Sequence, residues 1–236
     1  MFDRAAIVLA GGLSRRMGAE NKLLLPLGGQ PLLRHAIAAC IAATDAPVTV
    51  VTGHEATAIA AALEGLPVHL VHNPDFADGQ MTSLATGLRA VPDAAATLIA
   101  LADQPLLDAA SLDWLFTAFA GAGGTKITIP LRGEDRGNPI VVPLHLMPDL
   151  QADRRNPGCR KFTRDHPELV HWALTGNPAF FTDVDLPEDL ARIRQHFDKL
   201  GRRSGKLRSL LHRLNPFLPM TDAQASLLAS VKFPCC

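Results

Sequence analysis

An α/β fold with a largely parallel sheet is what this sequence predicts, on three observations. Short apolar runs alternate with helix-like segments from the first residues. The runs are apolar on both faces, as strands covered by helices on either side are. Gly53, Gly65 and Pro92 punctuate the alternation. In order, the predicted strands cover 5–10, 48–52, 68–72 and 97–102. Between them, 32–43, 56–63 and 81–91 carry helical spacing with an alanine-rich face. From about Lys126 the rhythm changes. Residues 126–131 and 139–142 read as strands joined by a polar turn over 132–137. A helix over 158–165, strands near 170–175 and 180–184, and a charged amphipathic helix over 188–199 follow. Ligands of such sheets bind at the carboxyl ends of the strands, so the chemistry is expected in the loops after Ala10, Thr52, His72 and Ala102.

Composition narrows the function. The 236 residues carry 23 Lys and Arg against 23 Asp and Glu, a balance that argues against a nucleic-acid binder. Tyr is absent and aromatics are 5%, too few for base-stacking platforms. Cys40, Cys159, Cys235 and Cys236 show no CxxC spacing, which argues against zinc and against a disulfide framework and points to a reducing cytoplasm. The apolar run over 5–10 is too short for a signal-peptide core or a membrane span. After residue 200 the composition shifts, which predicts one domain over 1–200 and a basic helical appendage over 201–236. Residues 199–213 hold six Lys and Arg and no acid, as suits a solvated helix, a docking surface for a protein, or a contact with an anionic surface.

The loop after the first run reads Leu9-Ala10-Gly11-Gly12-Leu13-Ser14-Arg15-Arg16-Met17-Gly18 and leads to Lys22. Gly11 and Gly12 leave backbone N–H groups open to close approach by a ligand. Arg15, Arg16 and Lys22 add positive charge, a combination that suits a nucleoside triphosphate. It is not a Walker A loop, because the glycine spacing differs and Leu23 follows the lysine. An exposed charged turn is the plainer alternative. Asp103 ends a buried run and precedes Gln104-Pro105. It is either a turn or capping residue, or a carboxylate whose desolvation a Mg²⁺ ion would offset. Asp185, in Asp183-Val184-Asp185-Leu186-Pro187-Glu188, precedes a helix-like first turn and suits its cap, with Asp183 on the same side of an extended chain. The stretch from His72 through Asn73 and Gly79 to Thr82 and Ser83 is a loop feeding a helix, where hydroxyls cap the helix or meet anions. The nine histidines are scattered without metal spacing, and no serine stands in a nucleophile elbow.

These segments together resemble the molybdenum cofactor cytidylyltransferases and their MobA-like nucleotidyltransferase relatives. LAGGLSRRMG followed by Lys22 is similar to the signature L-A-(A/G)-G-x-S-x-R-M-G-x-x-K, and LADQPLL to the metal-binding D-(M/Q)-P-L element. Asp185 matches the ligand position of D-(I/V)-(D/N)-T-P-E-D-L, with Leu186 for the usual Thr. NPDF…G…SL resembles the cytidylyltransferase stretch that reads the base, whereas Ala10-Gly11-Gly12 has the form usual in the guanylyltransferases. Arg136-Gly137-Asn138-Pro139 resembles the acceptor-side G-(N/H)-P-(V/I) element; Arg132 and Arg136 could meet an acceptor phosphate or be exposed turn arginines. Asp153, Gly158 and Arg160 alone match a further G-D-x-G-A-R-like turn.

The resemblance covers about residues 4–198 and implies a three-layer Rossmann-like nucleotidyltransferase fold with a small acceptor-side subdomain. It implies CMP transfer from CTP to molybdenum-molybdopterin with release of pyrophosphate. The expected catalytic residues are Arg16, Lys22, Asp103 and Asp185, the two aspartates holding Mg²⁺ or Mn²⁺. The expected nucleotide-binding set is Leu9, Ala10, Gly11, Gly12, Ser14, Arg15, Arg16, Lys22, Thr52, Gly53, Asn73, Gly79 and Ser83. A molybdoenzyme or its chaperone is the protein partner such a product implies. A guanylyltransferase using GTP, a sugar-phosphate nucleotidyltransferase and a non-catalytic cofactor-delivery module are the alternatives; the paired aspartates favour an enzyme over the last.

Overall fold

The computed structural model describes residues 3–17, 20–152 and 159–199. The strands are β1 (Arg4–Ala10), the short hairpin β2 (Pro26–Leu27) and β3 (Gln30–Pro31), β4 (Val48–Thr52), β5 (Val68–His72), β6 (Ala96–Leu101), β7 (Ile127–Arg132), β8 (Asp135–Arg136), β9 (Ile140–Pro143) and β10 (Val170–Leu174). The helices are α1 (Leu33–Ala43), α2 (Ala56–Ala62), α3 (Gln80–Ala90), α4 (Ala109–Gly121), α5 (Met147–Ala152) and α6 (Cys159–Asp165). One sheet runs β10-β7-β9-β6-β1-β4-β5, with β8 paired to β7. β6, β1, β4 and β5 are mutually parallel, β9 runs against its neighbours, and β10 is parallel to β7. The register aligns Ala10 with Thr52, Thr52 with His72 and Leu9 with Leu101. The loops that follow these residues therefore leave from one edge, where open α/β sheets bind ligands.

Pleating sends alternate side chains to opposite faces. Ile7, Val51, Ile99 and Ile129 meet Leu84 and Leu88 of α3 and Leu150 of α5 in one buried cluster. Ala6, Val8, Val50 and Leu98 are buried on the other face, where α1 and α4 pack together. Helices cover both faces, and this gives the three layers that the sequence predicts.

The expected strands and helices up to residue 102 all form, with ends displaced by a residue or so. Several elements differ from expectation: the β2–β3 hairpin, β8 and α5 have no counterpart in the predicted elements, and two further differences bear on the site. Helix α4 was not foreseen, because AASLDWLFTAFAG is apolar nearly all round and shows little periodicity. Its signals are at the ends: Asp108 accepts from the Ser111 N–H, and Gly123 and Gly124 donate to the Ala120 and Phe119 carbonyls. The strand expected near 180–184 is instead a 3₁₀ turn over Pro178–Phe181, capped by Asn177, followed by extended chain. Pro178 has no N–H to give a ladder, and Phe180 is buried against Trp114. Contacts divide the chain into two units, Met1–Pro187 and Glu188–Cys236. Of the second, residues 188–199 are described and are helical, as expected. The appendage expected over 201–236 lies outside the described residues, as do Asp153 and Gly158. No helix among the described residues is long and apolar enough to cross a membrane.

Candidate active site

The cleft forms where β1 and β6 end side by side. Gly11 is buried, and an added Cβ there would come within 3.0 Å of the Ser83 hydroxyl and 3.4 Å of the Gly53 nitrogen. Across from it, a Cβ on Gly53 would lie 2.4 Å from Phe76 Cβ and 2.9 Å from the Gly11 carbonyl. The two loops approach this closely only because neither residue carries a side chain. Gly12 is exposed and faces open space. The chain then turns through Ser14 (φ 49°) and a 3₁₀ turn over Arg15–Met17, and reaches a second 3₁₀ turn over Lys22–Leu24.

Three distant segments meet at Lys22. Its ammonium donates to Asp103 Oδ2 at 2.6 Å and to Asp185 Oδ1 at 2.8 Å. Arg16 Nη1 donates to Asp185 Oδ2 at 2.9 Å. Asp103 sits directly beyond β6, and the segment after the Pro178–Phe181 turn brings Asp185 to it, held by the Val184 N–H on the Asp103 carbonyl at 3.0 Å. Side chains of Lys22 and Asp103 are 13% and 16% exposed and that of Asp185 39%, so the inner pair is shielded and the outer one meets solvent.

The electrostatics follow from this arrangement. Burial pushes the Asp103 carboxyl above the usual range, against the pull of Lys22 and with help from Asp183 and Asp185. The Lys22 hydrogen bond, aided by Arg16, holds Asp185 below the usual carboxylate range. Burial alone would lower Lys22, but the two carboxylates outweigh it and keep the ammonium charged. Asp103 Oδ1 is buried and has no hydrogen-bond partner among the described residues. A hard carboxylate oxygen left over in this way, beside a second carboxylate, fits a Mg²⁺ or Mn²⁺ ion. No group of three or more His, Cys, Asp or Glu side chains suited to a metal occurs among the described residues. Such an ion would therefore need phosphate and water to complete its shell.

The cleft has a volume of about 510 Å³. Of the expected residues, Leu9, Gly11, Gly12, Ser14, Arg16, Lys22, Gly79, Ser83, Asp103 and Asp185 line it. Leu13, Leu23, Phe76, Ala77, Gln80, Leu101 and Asp183 line it as well. Phe76 lies within the NPDF stretch, but nothing in its residue type marks it as a wall. Other expected residues lie behind the surface. Ala10 and Thr52 are buried in their strands, and Gly53 is packed under Phe76. Asn73 is buried, and its amide donates to Thr82 Oγ1 at 2.8 Å and Ser83 Oγ at 3.0 Å. It braces the cleft wall from within. Arg15 falls in the 3₁₀ turn, and its side chain lies outside the described residues.

The acceptor-side residues do not line the cleft, yet they join the segment that bears Asp185. The Gly137 N–H donates to the Pro130 carbonyl and the Asn138 N–H to the Phe180 carbonyl, both at 2.8 Å. Asn138-Pro139 is a cis bond. Arg132 stacks over Phe181 at 4.3 Å. Arg136 is partly buried and donates to Thr163 Oγ1 at 2.6 Å.

The MobA-like NTP transferase domain matches residues 6–170. The chain is 31% identical over 206 residues to a probable molybdenum cofactor guanylyltransferase of Natronomonas pharaonis, covering 83% of this chain and 98% of that one. It is 28% identical over 193 residues to the nicotine blue oxidoreductase of Paenarthrobacter nicotinovorans, covering 79% and 94%. A solved nucleotidyl transferase from Methanothermobacter thermautotroptrophicus superposes with a TM-score of 0.70 at 27% identity, covering 84% and 98%.

Proposed function

The chain belongs to the MobA-like NTP transferase family and is a nucleotidyltransferase; from that premise we propose that it transfers CMP from CTP to the terminal phosphate of molybdenum-molybdopterin and releases pyrophosphate. The observation that carries this reading is the convergence of Lys22, Asp103 and Asp185 beside an open glycine loop. A phosphate monoester has a second pKa of about 6, so near neutrality the acceptor is already a dianion. Its oxygen attacks the α-phosphorus in line, and the bond to the pyrophosphate oxygen breaks. No general base is required, so the protein contributes position and charge. Backbone N–H groups at Gly11 and Gly12 would cradle the nucleotide. Lys22 and Arg16 would neutralise the departing pyrophosphate. Asp103 and Asp185 would hold Mg²⁺ or Mn²⁺, which when bound supplies further charge neutralisation at the phosphate oxygens. Arg132 and Arg136 would meet the acceptor phosphate. The product would pass to a molybdoenzyme or its chaperone.

The NPDF…G…SL stretch supports cytosine as the base. A second reading, GMP transfer from GTP, is favoured by Ala10-Gly11-Gly12 and by the guanylyltransferase name of the Natronomonas relative. The deciding experiment incubates the protein with molybdenum-molybdopterin and each of the four triphosphates and measures released pyrophosphate. Release with CTP is expected. Release with GTP alone selects the second reading, and release only when a sugar phosphate replaces the pterin overturns both.

A further inference from the structure

Asn21 has no role in the reading above, yet it links the groups that hold the backbone on the N-terminal side of Lys22. It is 5% exposed. Its Oδ1 accepts from the Leu23 N–H at 3.1 Å and from the Ser14 hydroxyl at 3.3 Å. The Ser14 oxygen in turn accepts from the Lys22 N–H at 3.3 Å. The Asn21 carbonyl accepts from the Leu24 N–H at 3.0 Å. One buried amide thus joins the far end of the glycine-rich loop to the turn that carries the lysine. Ser14 is held there in the left-handed region, which a non-glycine residue adopts only when its surroundings demand it. The network is used in one sense only, since Asn21 Nδ2 is buried and has no partner among the described residues. The residue serves as an acceptor, and its donor half is spare.

We propose that Asn21 is a positioning residue, setting the height of the Lys22 backbone so that the ammonium, at the end of a four-carbon stem, reaches Asp103 and the triphosphate together. This rests on the reading of Lys22 as a triphosphate ligand. An ordinary helix cap would stabilise its turn and nothing more. Here the capped turn is three residues long and its first residue is Lys22 itself. Loss of the acceptor therefore frees the lysine before it disturbs the sheet.

The test compares Asn21→Asp, Asn21→Leu and Ser14→Ala in the full chain. Binding of a non-hydrolysable CTP analogue with Mg²⁺ is measured by calorimetry, the thermal midpoint is recorded, and KM and kcat are separated. Asn21→Asp keeps both accepted bonds but replaces the unpartnered donor with a carboxylate oxygen whose burial is costly, so it should lower the thermal midpoint yet bind the analogue more tightly than Asn21→Leu does. Asn21→Leu should weaken analogue binding and raise the triphosphate KM by roughly tenfold or more, with the acceptor KM unchanged. Ser14→Ala removes one link without disturbing the Asn21 packing, and should move the same quantities in the same direction even if Asn21→Leu does not fold. Wild-type binding in both Asn21→Leu and Ser14→Ala, or equal damage from Asn21→Asp and Asn21→Leu, overturns the proposal. If the wild type binds no triphosphate analogue of any base, the proposed function itself fails.

Discussion

Asp103 and Asp185 share one lysine but experience different surroundings. Asp103 is shielded, and its second oxygen has no partner among the described residues. Asp103→Ala should retain the fold, because Lys22 keeps Asp185, yet lose transfer by about 10³-fold or more if the metal site supplies several kcal/mol of transition-state stabilisation. Pyrophosphate release alongside a thermal melt checks this, and near-wild-type turnover would remove Asp103 from the mechanism. Asp185 titrates in the opposite sense, since Lys22 and Arg16 depress it. Its pairing contributes stability that is present above the unfolded carboxylate value, near pH ~4, and is lost as pH falls through the lower folded value. The gap in urea midpoint between wild type and Asp185→Asn should be widest at neutrality and close on acidification; a gap independent of pH would contradict it. At this scale the glycine loop, Lys22 and the aspartates were legible because each lies in a contiguous motif. The inward burial of Thr52, Gly53 and Asn73 was not, since position at a strand end does not say which way a side chain turns.

Elements explain why those residues meet. The parallel strands were legible from apolar runs at a strand's length, and their common direction from the intervening helices. Helix α4 escaped because burial on most sides removes the periodicity that reveals a helix. The segment near 180–184 reads as a strand because Phe180, Phe181 and Val184 are apolar, but Pro178 and the burial of Phe180 make it a strap that carries Asp185. Gly11 and Gly53 bring their two loops into close contact. Gly53→Ala would force Phe76 and the Gly11 carbonyl apart. It should destabilise by about 1–3 kcal/mol, as overpacking typically does, and raise the triphosphate KM. Denaturant unfolding and steady-state kinetics measure the two effects, and an unchanged midpoint would show that the loops yield freely.

At the scale of the whole molecule, the family match ends at residue 170 and the unit that carries the cleft ends at Pro187. We therefore expect a chain cut after residue 200 to turn over like the full protein; loss of soluble protein on truncation would place residues 201–236 in the fold instead. Under the proposed reaction, the reversal of β9 would let one sheet serve two substrates. It returns the chain so that the start of β9 stands beside the end of β6, and the proposed acceptor and donor loops would share one margin. The opposite margin, where Arg4 pairs with Ala96 and its N–H meets the Asp45 carboxylate, holds none of the residues assigned a chemical role. The sheet thus has a working rim and a handling rim. Enzyme anchored to a solid support through the handling rim should keep its mouth turned toward the solution.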